Sequence, residues 1–210
     1  SYMSKKEKFF GVNNTNWGHK WGFRDSGFIV NEDRSVTFAG NRYPICGKKL
    51  SRFIPFVEEV LGIEFKIKPK VEELDKKHVD KAFVNHDFIS ELRSKFDEDR
   101  FTEEENERLL HSHGQHSTDE VYKVLYGKLK KFTDLVFYIE SEEEAIELIE
   151  LAKKHDVCLI PYGGGTNVTN ALRPPEDEHR MIVTVDTRRL NKIESVDKED
   201  LMVTVQSGIT

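Results

Sequence analysis

The segment of this 210-residue chain best suited to chemistry is Pro161, Tyr162, Gly163, Gly164, Gly165, Thr166 and Asn167. Three successive glycines reach backbone conformations closed to other residues and let a ligand come close to the main chain. Successive amides turned into one concavity suit a pyrophosphate, and Thr166 and Asn167 add side-chain donors. A plain surface turn is the competing reading of a glycine triplet. Position favours binding, because ligands of α/β sheets gather at the carboxyl ends of strands, where this loop is expected. Two familiar phosphate loops are excluded. A P-loop needs Lys followed by Ser or Thr after its last glycine, and here Thr166 and Asn167 follow Gly165. A Rossmann fingerprint needs a third, spaced glycine and a helix, whereas Pro174 and Pro175 stop any helix here. The phosphates must then be held by loop amides rather than by a helix N-terminus.

Other reactive side chains are sparse. His111, His113 and His116 are spaced H-x-H-x-x-H, but no carboxylate or cysteine completes a convincing ligand set, so no metal is assigned. Cys46 and Cys158 are the only cysteines, which excludes a disulfide framework and a cysteine zinc site.

These groups need elements to position them. Residues 135–139 and 157–161 read as strands, and between them Ser141 and Glu144 form a capping box for a helix with Ala145, Ile146, Ile149 and Ala152 at helical spacing. Lys153, Lys154 and His155 suit its last turn. This β-α-β unit implies a parallel crossover that delivers the glycine loop at a strand end. Residues 181–185, 192–196 and 201–206 read as three more strands.

Upstream, residues 28–30 and 36–38 form a hairpin. Residues 50–62 form a short helix with Phe53, Phe56, Val57, Val60 and Leu61 on one face and Gly62 as its stop. Residues 83–96 and 103–131 read as helices, and 66–81 as a lysine-rich solvated connection. Trp17, Trp21 and Phe23, interleaved with glycines, read as an arm lying on another surface, with a membrane-interface anchor as the rival reading.

Composition narrows the class. A formal charge of −6 with no concentrated basic face argues against a nucleic-acid binder. No apolar run approaches a membrane span, and the first residues carry no secretory leader. The predicted fold class is α+β. Residues 1–130 read as an N-terminal arm and helical region, and residues 131–210 as a second domain that carries the glycine loop.

The segment PYGGGTNV after a β-α-β unit, then VTVDTRRLNKI and VTVQSGIT, resembles the FAD-binding domain of vanillyl-alcohol-oxidase-type (PCMH-type) flavoproteins. KWGFRDSGF, FAGNRYPICG and HSHGQH are similar to the alkyldihydroxyacetonephosphate synthase (alkylglycerone-phosphate synthase) family of ether-lipid synthesis. That resemblance implies FAD as cofactor, with its pyrophosphate wrapped by the loop from Pro161 to Asn167. Tyr162 and Asn167 depart from the Ile and Ser common in the family, which a backbone-mediated contact tolerates. His113 and Gly114 match the family's His-Gly box near the flavin, with Gln115 a departure, and structural packing is the other reading of these histidines. The segment from Asp186 to Asn191 is implied to be scaffold of the same domain.

The implied reaction replaces the acyl chain of acyl-dihydroxyacetone phosphate by a long-chain fatty alcohol, without net redox. A peroxisomal location, a homodimer and peripheral membrane association are implied in the same way. Family members run to roughly three times this length, so the catalytic residues are expected beyond Thr210. The chain alone is expected to be inactive. The rivals are another flavoprotein of the superfamily, similar to D-lactate or 2-hydroxyacid dehydrogenases, and a catalytically silent fragment.

Overall fold

A computed structural model describes residues 26–65, 79–114 and 117–209. The described residues divide into two compact units, one of residues 26–65 and the other of residues 79–114 and 117–209. The Trp17, Trp21 and Phe23 arm, most of the 66–81 connection, Gln115 and His116 lie outside the described residues.

In the smaller unit, β1 (Gly27–Val30), β2 (Val36–Ala39) and β3 (Lys49–Leu50) form an antiparallel sheet in that order. The predicted hairpin is present, with Val30 opposite Val36. Helix α1 (Phe53–Leu61) ends at Gly62, whose φ of 65° is a left-handed stop that glycine adopts without steric cost. Its packing differs from the expected face. Ile54 is its buried residue, while Phe56 and Val60 are each 62% exposed.

The larger unit is built around a four-stranded sheet of order β4-β5-β7-β6, from β4 (Phe101–Thr102), β5 (Leu135–Tyr138), β6 (Cys158–Tyr162) and β7 (Ile182–Asp186). Strands β5 and β6 both run parallel to β7, and β4 is an antiparallel edge. The β-α-β unit therefore straddles β7 instead of joining neighbours. Every residue of β5 is buried, as expected of a strand covered on both faces.

Helix α2 (His86–Lys95) follows β3 and α1 in the chain, and a 3₁₀ turn at Glu98–Arg100 leads from it into β4. Phe88, Ile89 and Leu92 of α2 share one core with Leu135, Phe137, Met181 and Val183. Packing thus runs across residue 130, where the character of the sequence changes.

The helix predicted over 103–131 is two helices, α3 (Glu105–Leu110) and α4 (Thr118–Tyr126). The break has its cause in tertiary packing. At Gly114 a Cβ would collide with Asn167 and lie 2.7 Å from the Gly165 carbonyl oxygen, so the chain there is pressed on the glycine loop. Ser117 then caps α4 by accepting the Glu120 amide at 3.1 Å.

Helix α5 (Glu142–Lys154) connects β5 to β6. Ser141 accepts the Glu144 amide as predicted, whereas the Glu144 carboxylate accepts the Glu140 amide, one residue before the cap. Leu148, Leu151 and Ala152 face the core with Ala145 beside them. Ile146 and Ile149, expected on that face, are 56% and 48% exposed. After β7, the strands β8 (Ile193–Asp197) and β9 (Met202–Val205) pair antiparallel with every residue exposed.

Candidate functional site

The parallel strands bring three side chains into one row at their carboxyl ends, because Tyr138 of β5 and Tyr162 of β6 both pair with Asp186 of β7. His111, directly after α3, is fully buried against this row. Its Nδ1 lies 2.7 Å from the Glu107 carbonyl oxygen and its Nε2 lies 2.7 Å from Asp186 Oδ2. Both ring nitrogens are thereby engaged. The Arg188 Nε is 2.6 Å from the same Asp186 oxygen, and the Arg188 amide donates to Asp186 Oδ1. Burial opposes the charge on Arg188, but Asp186 and the surrounding acidic groups outweigh it and raise its pKa.

Tyr138 donates its hydroxyl to Glu107 Oε2 at 2.8 Å, and the Arg189 guanidinium sits 5.2 Å above its ring. Burial and the neighbouring Glu107 push the Tyr138 phenol well above its ordinary range. The Tyr162 ring lies 4.5 Å from that of His111, and burial pushes its phenol up to about 12. Both tyrosines are therefore neutral through the physiological range. These contacts tie Asp186 into a buried floor with Tyr138, Tyr162 and His111.

The glycine loop rises from this floor at the end of β6. Tyr162 is buried and its phenol lies beneath Gly165, whose φ is +71° and whose added Cβ would meet the tyrosine ring. Only glycine meets both demands at that position. Gly163, Gly164 and Thr166 are exposed. A Cβ at Gly163 meets nothing within 4 Å, and one at Gly164 meets only Thr166 Cγ2 at 3.9 Å. Among the described residues, the amides of Gly163, Gly164, Gly165 and Thr166 have no hydrogen-bond acceptor. Open main-chain donors at a glycine-rich surface are chemically suited to an anionic group.

Asn167 is placed differently from its expected role as a side-chain donor to phosphate. It is buried at a left-handed φ of 50°. Its Nδ2 donates to Glu120 Oε1 at 3.1 Å and its Oδ1 accepts the Leu172 amide at 2.9 Å. Pro161 is exposed on β6, one residue before the buried Tyr162 that anchors the loop.

His113 and Gly114 are brought to the glycine loop, which their spacing alone does not require. His113 is buried, and the Gly114 amide donates to Glu120 Oε2 at 3.1 Å. No group of three metal-ligating side chains occurs among the described residues. Sequence reasoning misses Glu107, Glu120, Tyr138 and Asp186 as members of the site. The one signal for them is that Tyr138 lies near the end of one predicted strand and Asp186 directly follows another, which a strand register would have joined.

The family described as "FAD binding domain" matches residues 133–210. The chain is 37% identical over 189 residues to an alkyldihydroxyacetonephosphate synthase of Caenorhabditis elegans, a match covering 90% of this chain and 31% of that protein. A synthase of the same name from Trypanosoma brucei brucei is 30% identical, with 90% and 32% covered. A mitochondrial D-lactate dehydrogenase [cytochrome] of Arabidopsis thaliana is 27% identical over 60% of this chain and 20% of its own. A solved structure of an alkyldihydroxyacetonephosphate synthase superposes with a TM-score of 0.81 at 26% identity, covering 93% of this chain and 36% of the other. The chain thus spans about a third of the length of the curated relatives it matches.

Proposed function

The chain belongs with the FAD-binding alkyldihydroxyacetonephosphate synthases, and from that premise we propose that its loop from Pro161 to Asn167 holds the FAD pyrophosphate of such an enzyme. One observation carries the reading. Among the described residues the amides of 163–166 are without acceptors, and the missing Cβ atoms of Gly163 and Gly164 leave room for a ligand. Gly163, Gly164, Gly165 and Thr166 would donate their main-chain N–H groups to the phosphate oxygens. Asn167 would shape the loop from within, and His113 and Gly114 would form the wall beside it. Residues 131–210 serve in this reading as the first part of the cofactor domain, and residues 1–130 as the arm and helices that lead to it.

The reaction proposed for the intact protein is exchange of the acyl chain of acyl-dihydroxyacetone phosphate for a long-chain fatty alcohol, in a peroxisomal setting. The flavin, when bound, supplies the electronic chemistry, as cofactors generally do. This chain's own residues bind and orient it. The buried row of Tyr138, Asp186 and Tyr162 with His111 holds the strand ends in fixed register beneath the loop. Closely spaced main-chain donors are worth most when they need no rearrangement on binding.

The test is Gly164→Val in the intact protein. A Cβ there meets no backbone, so the fold should tolerate the change, whereas a β-branched side chain fills the space over the amides. The expected result is a folded, colourless protein with no alkyl exchange. Undiminished visible flavin absorbance in that variant would remove the loop from the site. Turnover of D-lactate without alkyl exchange by the parent protein would instead favour the dehydrogenase-like reading.

A further inference from the structure

Glu120 of α4 is buried, and its two carboxylate oxygens are divided between two segments. Oε2 accepts the Gly114 amide at 3.1 Å, and Oε1 accepts Asn167 Nδ2 at 3.1 Å. Asn167 passes the constraint on, because its Oδ1 accepts the Leu172 amide at the far side of the loop. Gly114 is pressed against Gly165 and Asn167 with no space for a Cβ. Asn167 itself holds a left-handed backbone conformation, which Asn adopts more readily than other non-glycine residues and which its two side-chain hydrogen bonds pin here. We infer that Glu120 is a positioning residue for the dinucleotide loop. It holds Asn167 in its left-handed turn against the His113–Gly114 segment, so that the amides of residues 163–166 stay open to phosphate. The inference rests on the pyrophosphate reading of the loop and adds to it a control element from outside the family-matched residues 133–210.

The chemistry allows a sharp test, because the donors and acceptors can be exchanged. In Glu120→Gln the side-chain NH2 must face one of two donors, so at least one of the two hydrogen bonds is lost. In Asn167→Asp a second carboxylate faces that of Glu120. The double variant E120Q/N167D satisfies all three bonds again. The oxygen of the introduced glutamine accepts the Gly114 amide, and its NH2 donates to the introduced aspartate. The other oxygen of that aspartate accepts the Leu172 amide.

The dissociation constant of FAD is measured for the intact apoprotein by flavin fluorescence quenching, with circular dichroism and thermal melting of the apoprotein to confirm folding. Each single variant is expected to weaken FAD binding by about tenfold or more, the scale of a lost charge-assisted hydrogen bond. The double variant is expected to recover to within roughly threefold of the parent. A purely structural role would move the apoprotein melt without this reciprocal recovery in affinity. FAD binding by folded E120Q at parental strength would overturn the inference, and so would a double variant no tighter than the singles. If E120Q does not fold, Asn167→Ala, which removes the loop-side partner and leaves the Gly114 bond, should show the same loss, and parental affinity there overturns the inference equally. The two readings fail separately. If Gly164→Val also keeps its flavin, the loop reading falls; if only the Glu120 and Asn167 variants keep theirs, the loop reading stands without the clamp.

Discussion

Two adjacent glycines of the loop serve different ends. Gly165 has a φ of +71° and lies over the Tyr162 ring, whereas Gly164 faces open space. Gly165→Ala should therefore act on the fold. It combines a left-handed alanine, costing about 1–2 kcal/mol, with a collision against a buried phenol that cannot move freely. A lowered thermal midpoint in the apoprotein is expected for Gly165→Ala, alongside an unchanged one for Gly164→Val. Equal apoprotein midpoints for both variants would mean that Tyr162 does not support the loop from below. The same scale explains Asn167. Its residue type suggests a donor to phosphate, yet its amide group is engaged inside the protein by Glu120 and Leu172.

Among the elements, α5 follows most directly from local sequence. Ser141 caps it, three glutamates fill its first turn, and Lys153 and Lys154 fill its last. All of these interactions complement the helix termini and dipole. Ser141→Ala should cost about 1 kcal/mol of global stability, read as a shift of the denaturant midpoint with an unchanged slope. No shift would mean that Glu144 and the dipole satisfy the terminus without the hydroxyl. The apolar face of α5 is less legible. Ile146 and Ile149 fit a helical stripe as well as Leu148 and Leu151 do, and the choice belongs to the core formed by Phe88, Leu92 and Phe137. The long helix expected over 103–131 fails for a similar reason. Periodicity continues through the region, but the approach of Gly114 to the glycine loop requires a break that only the partner surface dictates.

For the whole molecule, surface charge sets the response to acid. Hydrogen bonds from Arg180 hold Glu178 down to about 2 from an ordinary 4.5. Contacts with Lys154, Lys123, Lys130 and Lys49 lower Glu91, Asp119, Glu176 and Asp33. A carboxylate with a depressed folded pKa contributes stability above its unfolded pKa, and that contribution is lost as pH falls through the folded value. Stability should thus be level above about pH 5 and decline from about pH 4.5 toward about pH 2. Because these pairs lie at or near the surface, added salt should flatten the decline. Denaturant unfolding across that range checks it, and a salt-independent profile would remove these surface pairs as the cause; Asp134, whose pKa burial raises, acts in the opposite sense and gains stability as pH falls.

The α+β class, the strands of the sheet, the capped helix α5 and the glycine loop at the end of β6 are all legible in the order of the residues. These depend on contacts within a few residues, on glycine's conformational range and on alternation of apolar side chains. The pairing of distant segments comes from tertiary packing. The insertion of β7 between β5 and β6, the row of Tyr138, Asp186 and Tyr162, the burial of His111 and the grip of Glu120 on Asn167 join residues far apart in the chain. Local propensity carries no information about such partners, because their energy exists only once the sheet has brought them within hydrogen-bond reach.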